Sequence, residues 1–469
     1  MADLVSMCNR AFSIITTSVY TYRYEVPILS EYIDLETTTN HKCMTKLQRR
    51  TFLKQAAALS AFTILSPRIV FGTQANSAVR IGIIGCGNRG TAVLTSMLQH
   101  TNTVVVAMAD LFPDQLQRAG VVFNQQNAAK KFPAVNTSNM YQGSKAYLRL
   151  IENKEVDAVL ISSPAYTHPE FLEAAVAAGK HVYCEKPVSP DVAGVNRIVK
   201  AGEKLNGKQS VVIGFQIRHA SPYVGMVKKI QEGAIGDIVN GQLYYLSSAT
   251  KLLDLKNVSD DEFRIRNHYL YRALCGDIIL DQAIHMIDVC NWTLQGRPVK
   301  AMGTGGNKSA YTVGDVWTNY QVVYQYPGNV NVTVHATKVG PQFGDVCCRF
   351  LGTKGFAEAH YSGGVFIKGD NEWDSGITKG DSKLTPEQQA AGIFDSSLHD
   401  ADPNKEKSFI DSIVSGKYLN ETKSGADSTL AAILGRESAL QKKEMTWDEL
   451  IASNQKLDPK LNLTQFDKV

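Results

Sequence analysis

The chain has 469 residues, of which 44% are hydrophobic and 20% charged, and its 49 Lys+Arg against 45 Asp+Glu leave a formal charge of only +4. That length suits two or three domains with ample core, and the composition excludes wholesale disorder. It also excludes a dedicated nucleic-acid binder, which would carry a clustered basic surface. The first 78 residues hold 8 Lys+Arg and 5 Asp+Glu, so residues 79–469 are nearly neutral at 41 against 40.

Residues 1–43 form a long extension of mixed character that contains Glu25, Glu31, Asp34 and Glu36, and translation is expected to begin at Met44. Residues 44–78 then carry Gln48-Arg49-Arg50-Thr51-Phe52-Leu53-Lys54, an apolar stretch from Ala56 to Leu65, Ser66-Pro67 and small residues near Ala75 to Ala78. Paired arginines, a short apolar run and a small-residue exit describe a twin-arginine export signal; the competing reading is a chance amphipathic helix. The run is too short to span a bilayer, which takes about 20 residues. The expected location is therefore a bacterial periplasm, with the twin-arginine translocase as a partner during export and a soluble mature product. No C-x-x-C and no His/Cys metal spacing occurs. The cysteines beyond the leader are read as buried thiols rather than disulfides or metal ligands, and no metal is expected. Cys347 and Cys348 adjoin in a strand-like run and should face opposite ways.

Val79 to Ile84 reads as a buried strand running into Gly85-Cys86-Gly87-Asn88-Arg89-Gly90 and an amphipathic helix, Thr91 to Gln99. In this strand–turn–helix context the glycines fit a dinucleotide pyrophosphate. Gly85 permits the tight turn, Gly87 the close approach of backbone to phosphate, and Gly90 the packing of helix on strand. A second apolar run, Thr103 to Met108, leads to Asp110, placed to accept from a ribose 2′-OH and to repel a 2′-phosphate. NAD is expected over NADP; the bland alternative is a Rossmann-like shell without nucleotide.

The alternation continues with a helix after Pro113, a helix at Lys145 to Glu152, and the strand Ala158 to Ile161. That strand exits through Ser162-Ser163-Pro164-Ala165-Tyr166-Thr167-His168 into a helix from Pro169 to Ala178. Ligands bind at the carboxyl ends of strands in such sheets, so Ser163 and Pro164 should face the cofactor. His168 is either a nicotinamide neighbour or a helix-start residue. The strand Lys180 to Cys184 ends at Glu185-Lys186-Pro187. Lys186 is a proton-transfer candidate if desolvated and an ordinary surface lysine otherwise.

From Phe215 the pattern changes. A helix near Tyr223 to Gln231 precedes a strand from Ile238 to Leu246, and a polar loop with Arg264, Arg266, Tyr269 and Arg272 leads to Gly276 through Asp288. Read as a helix, that segment puts Asp281 and His285 four apart on one face, either a surface ion pair or an acid orienting an imidazole.

These motifs together resemble the Gfo/Idh/MocA family of glucose-fructose oxidoreductase and inositol dehydrogenase: Gly85 to Gly90, Asp110, the Ser163-Pro164 to His168 loop, Glu185-Lys186-Pro187 and the pair Asp281 and His285. The resemblance spans about residues 79–445. It implies an α/β fold with an N-terminal Rossmann dinucleotide-binding domain (79–214) and a C-terminal α/β domain (215–445) with a large, mostly antiparallel open sheet, leaving 446–469 as a tail. The runs Trp317 to Tyr324, Val330 to Ala336, Cys347 to Leu351 and Phe356 to His360 fit that sheet, and helices at Glu406 to Val414 and Ser428 to Lys442 fit the closing segment. The resemblance further implies a homo-dimer or homo-tetramer and a catalytic trio of Lys186, Asp281 and His285. His285 or Lys186 would be the base, and Asp281 would orient His285 and hold a neighbouring hydroxyl. Arg218 and Tyr223 are candidates for the substrate wall.

An exported dinucleotide enzyme has little free cofactor to draw on, so NAD is expected to be tightly bound before export and re-oxidised in place. The expected reaction is hydride removal from a ring hydroxyl carbon of a glycoside or polyol, C3 of a glucoside being the chosen example. The alternative is an NAD-dependent glycosidase acting by transient oxidation and elimination.

Overall fold

The computed structural model describes residues 77–308, 312–339, 345–377 and 396–467; the extension and almost all of the export signal lie outside them. Six parallel strands form the first sheet: β1 (Val79–Ile84), β2 (Thr103–Asp110), β3 (Met140–Gln142), β4 (Ala158–Ile161), β5 (His181–Cys184) and β6 (Val211–Ile213), in the order β3-β2-β1-β4-β5-β6. This is the doubly wound order of dinucleotide folds, with the switch point between β1 and β4. Because helices cover both faces, the strands read as nearly unbroken apolar runs. On one face Val93, Leu94 and Met97 of the helix Asn88–His100 pack with Phe123 and with Phe409 and Ile410 from the helix Ala401–Ser415. A helix from the far end of the chain thus completes the first domain.

The second sheet has nine strands: β7 (Ile238–Ser247), β8 (Lys300–Gly306), β9 (Asn319–Tyr326), β10 (Val330–Lys338), β11 (Asp345–Gly352), β12 (Gly355–His360), β13 (Val365–Gly369), β14 (Trp373–Asp374) and β15 (Met445–Thr446). Their order is β14-β13-β12-β11-β7-β10-β9-β8-β15, and every pairing is antiparallel except β7 with β10. Period-2 alternation decides which face is covered. In β9 Tyr320, Val322, Tyr324 and Tyr326 point inward, and in β10 so do Val332, Val334, Ala336 and, at the end of the strand, Lys338. The opposite face keeps Met302, Val323, Leu351 and Phe356 exposed.

The helix Thr422–Gln441 is buried on nearly every side, packed against β8 and β9 of the second sheet and against the helix Val192–Glu203 of the first domain. Its Arg436, fully buried, donates from one Nη1 to the carbonyls of Pro190 and Gly276, and pairs through Nε with Glu437. The expected polar loop before Gly276 contains a short helix, Asp260–Arg266, because the Ser259 side chain accepts from the Glu262 N–H and three acidic residues occupy the first turn. The expected tail contributes β15 and the helix Trp447–Ser453, and then returns to the first domain. Phe466 packs edge-on against Phe112, and Asp467 accepts from Ser144. The six described cysteines are free buried thiols, and no helix among the described residues is long and apolar enough to cross a membrane.

Removing a buried ion's partner costs about 3–5 kcal/mol. Arg436→Met should therefore lower the free energy of unfolding by about 3 kcal/mol, read as a shifted denaturation midpoint.

Candidate active site

The glycine loop follows β1. Gly85 has φ of +93°, and a Cβ there would lie 2.7 Å from the Ser162 carbonyl and the Ser163 nitrogen; at Gly90 it would lie 2.3 Å from the Gly85 oxygen. The loop therefore sits directly against the exit of β4, and the helix enters with no room for a side chain. At Gly87 a Cβ would meet nothing within 4 Å, so open space lies over the start of the helix Asn88–His100, where amide donors and the positive dipole end suit a pyrophosphate. Asp110, at the end of β2, accepts from the N–H groups of Cys86 and Phe112. Burial raises its carboxyl and these two bonds counter the shift. The donor set and the carboxylate fit a dinucleotide. Arg118, which the sequence did not single out, reaches from the helix Pro113–Ala129 to Asn88 Oδ1 at 2.5 Å.

Three expected cofactor contacts, Arg89, Glu185 and His168, have side chains committed elsewhere, Glu185 accepting from Arg89 and Tyr183. The Arg89 guanidinium turns away from the loop into the protein, to Glu185, Gln216 and Asp402. His168 is buried, and its two ring nitrogens lie 2.8 Å from the carbonyls of Pro187 and Ser163. It is the first residue of the helix His168–Ala177, one of the two expectations for it, and its ring is not a free nicotinamide neighbour. It ties the β4 exit loop to the β5 exit loop, which is what brings Ser163-Pro164 beside Glu185-Lys186.

Lys186 leaves that second loop and donates to the backbone carbonyl of Asp281. Asp281 lies in a π-helical turn, Ile279–Ala283, ahead of the α-helix Ile284–Thr293 that carries His285. Here the expectation of an Asp281–His285 pair fails. The Asp281 carboxylate faces Lys338, Nζ to Oδ2 3.5 Å. Burial would raise its carboxyl, but Lys338, Lys186 and His268 together hold it below the ordinary value. Lys338 is only 3% exposed, with its ammonium 5.4 Å from the Tyr269 ring. The sequence did contain a signal for it: Lys338 continues the inward positions Val332, Val334 and Ala336 of β10.

His285 is 8% exposed and its Nδ1 is buried without a partner among the described residues. Burial first, then the charges of Lys186, Arg89 and Lys405, push its pKa well below the ordinary imidazole value, so the ring is neutral. Tyr245 lies parallel to it at 6.4 Å and Tyr361 edge-on at 6.3 Å. Burial also lowers the Lys186 ammonium, against the pull of Asp281 and Glu185. Lys186 is thus the hub, felt by both Asp281 and His285. The arrangement places a neutral proton acceptor beside a poised cation at the carboxyl end of the dinucleotide sheet.

The two candidates for the substrate wall lie elsewhere. Arg218 forms a two-bond pair with Asp288, each contact 2.8 Å, and Asp288 is 1% exposed. Tyr223 is fully enclosed in the apolar core. Both sat near the domain junction in sequence, but Asp288 took Arg218 from its 3₁₀ turn, and the core-facing side of the helix Ser221–Gln231 took Tyr223.

Residues 79–213 match the model described as "Oxidoreductase family, NAD-binding Rossmann fold", and residues 223–358 match the Gfo/Idh/MocA C-terminal domain. The chain belongs to the Gfo/Idh/MocA family of NAD-binding oxidoreductases. An inositol 2-dehydrogenase of Acidothermus cellulolyticus is 29% identical over 260 residues, covering 55% of this chain and 65% of that one. A myo-inositol 2-dehydrogenase of Thermotoga maritima is 26% identical over 385 residues, 80% of this chain and all of its own length. Among solved structures, the aldose-aldose oxidoreductase of Caulobacter crescentus shares the fold at a TM-score of 0.61 and 17% identity, over 79% of this chain and 99% of that one. The six-strand parallel sheet and the mostly antiparallel second sheet are this family's Rossmann and C-terminal domains, and NAD is its cofactor.

Arg218→Ala should cost about 3 kcal/mol of stability by stranding Asp288 while leaving KM for the sugar unchanged; a raised KM at unchanged stability would return Arg218 to the cleft. Lys338→Met should cut kcat about 100-fold by releasing Asp281 with the cofactor still bound, and Lys338→Arg should restore part of it.

Proposed function

We propose that this chain is a dehydrogenase acting on a ring hydroxyl of a glycoside or cyclic polyol, with C3 of a glucoside as the specific candidate. The observation that carries it is the neutral imidazole of His285, whose buried Nδ1 has no hydrogen-bond partner among the described residues, within the field of Lys186. The Gly85–Gly90 loop and Asp110 would hold NAD, whose nicotinamide would supply the hydride acceptor for the carbinol carbon. His285 takes the hydroxyl proton, for which it is already in the basic form at neutral pH. Lys186, anchored on the Asp281 carbonyl, donates to the same oxygen and stabilises the negative charge that develops there. Asp281, fixed by Lys338, receives a neighbouring hydroxyl. The relatives named as inositol dehydrogenases support a cyclic polyol or sugar as the substrate class. The paired arginines Arg49-Arg50 support export to the periplasm with NAD already held.

The test is purified full-length protein mixed with glycosides and inositols. Reduction of nicotinamide with a keto product supports the reading, and aglycone release without net reduction would replace it with the glycosidase. His285→Ala and Lys186→Ala should each abolish turnover and keep NAD. In the wild type the acid limb of kcat/KM should lie below the ordinary imidazole value of about 6.5, because His285 is protonated only when pH falls through its depressed value. Removing the neighbouring positive charge in Lys186→Met should move the limb of any residual activity upward; a limb that stays fixed would exclude His285 as the base.

A further inference from the structure

Two neighbouring strands bring together three side chains that are scattered in sequence. In the antiparallel pair of β11 and β12, Cys347 lies directly opposite His360, and Asp345, two residues earlier, shares its face. One donor atom from each of Asp345, Cys347 and His360 lies within 4.8 Å of the other two. His360 Nδ1 is 3.1 Å from Asp345 Oδ1, and Cys347 Sγ is 3.4 Å from Asp345 Oδ2.

A separate contact gives this cluster its chemistry. His360 Nε2 is 2.6 Å from Glu358 Oε1, and Glu358 is itself held by Arg349. The Glu358 carboxylate at Nε2 orients the ring so that Nδ1 is turned toward Asp345. Cys347 Sγ points to the same carboxylate, so the donor atoms of all three side chains converge on one small volume. Carboxylate-to-histidine support of this kind is how metal-bound imidazoles are oriented. A set of one sulfur, one nitrogen and one oxygen suits Zn²⁺, and its thiolate disfavours Mg²⁺ and Ca²⁺. Cys347 is fully buried, whereas the side chains of Asp345 and His360 are 19% and 26% exposed, so an ion approaches from solvent and lands on sulfur.

We propose that Asp345, Cys347 and His360 form a binding site for a zinc-class divalent ion on the open face of the second sheet, with Glu358 orienting His360 and a water completing the tetrahedron. On binding, the Cys347 thiol gives up its proton to solvent and becomes a thiolate ligand. The ion fastens β11 to β12 at the strand end from which Tyr361 reaches the His285 ring on the other side. No linear motif announces the site, because the ligands come from two strands and meet only through their register.

The test uses the full chain, stripped with a chelator and titrated with Co²⁺ alone. One equivalent should produce the visible bands of tetrahedral cobalt and a sulfur-to-cobalt charge-transfer band. Zn²⁺ should displace it and Mg²⁺ should not. Glu358→Gln should keep the spectrum and weaken binding about 10–100-fold, and Cys347→Ser should remove the charge-transfer band. No charge-transfer band in the wild type at stoichiometric Co²⁺, or one that survives Cys347→Ser, would overturn the assignment; the wild-type spectrum decides even if a variant fails to fold.

Discussion

Arg436 donates from a single Nη1 to the carbonyls of Pro190 and Gly276, and the rest of the site is built around that fork. Pro190 closes the loop that delivers Lys186 from the first domain, and Gly276 opens the segment that delivers Asp281 and His285 from the second. A guanidinium buried this deeply is tolerated only when its donors are paired, and Glu437 and Gln455 supply further partners. The distance between the two loops is therefore set by a rigid planar group on a buried helix. Lys186 can rest on the Asp281 carbonyl because Arg436 has already fixed both chains.

Within that frame the charges are arranged to keep Lys186 available. Asp281 faces two lysines and can satisfy one of them closely. Its carboxylate goes to Lys338 and only its backbone oxygen to Lys186, so Lys186 is positioned by a neutral acceptor and not locked in a closed ion pair. The same positive surroundings, added to burial, keep His285 unprotonated. A cation that donates and an imidazole that accepts are thus maintained side by side, a combination that water would level.

The parallel sheet was legible in sequence because its strands are buried on both faces and its turns carry glycines that the backbone needs. The second sheet was legible through alternation in β9 and β10. What the sequence concealed were the directions of individual side chains. Arg218 and Tyr223 stand at the right point in the chain, yet Asp288 and the apolar core claim them. Asp281 and His285 have helical spacing, yet a π turn lies ahead of His285 and Lys338, 57 residues beyond Asp281, takes the carboxylate. Lys338 could have been found by following the inward positions of β10 to the strand's end, whereas nothing linear links Asp345 and Cys347 to His360. Arg89 and His168 show the converse: motif residues whose side chains hold loops together.

The return of the chain to its first domain bears on how the molecule is made. Arg89 is paired with Asp402, 313 residues away, and Ser144 with Asp467, 323 residues away. Phe409 and Ile410 join the apolar core of the first domain, Phe409 edge-on to Tyr183 of β5. The dinucleotide domain emerges early during synthesis but lacks part of its own core until those residues exist, so its final packing waits for that later stretch of chain. Until then an apolar surface on that domain remains open to chaperones. Closure of the glycine loop's own helix against Ala401–Ser415 therefore waits for a segment that follows β14 in the chain, which couples readiness to hold a nucleotide to synthesis of most of the second domain.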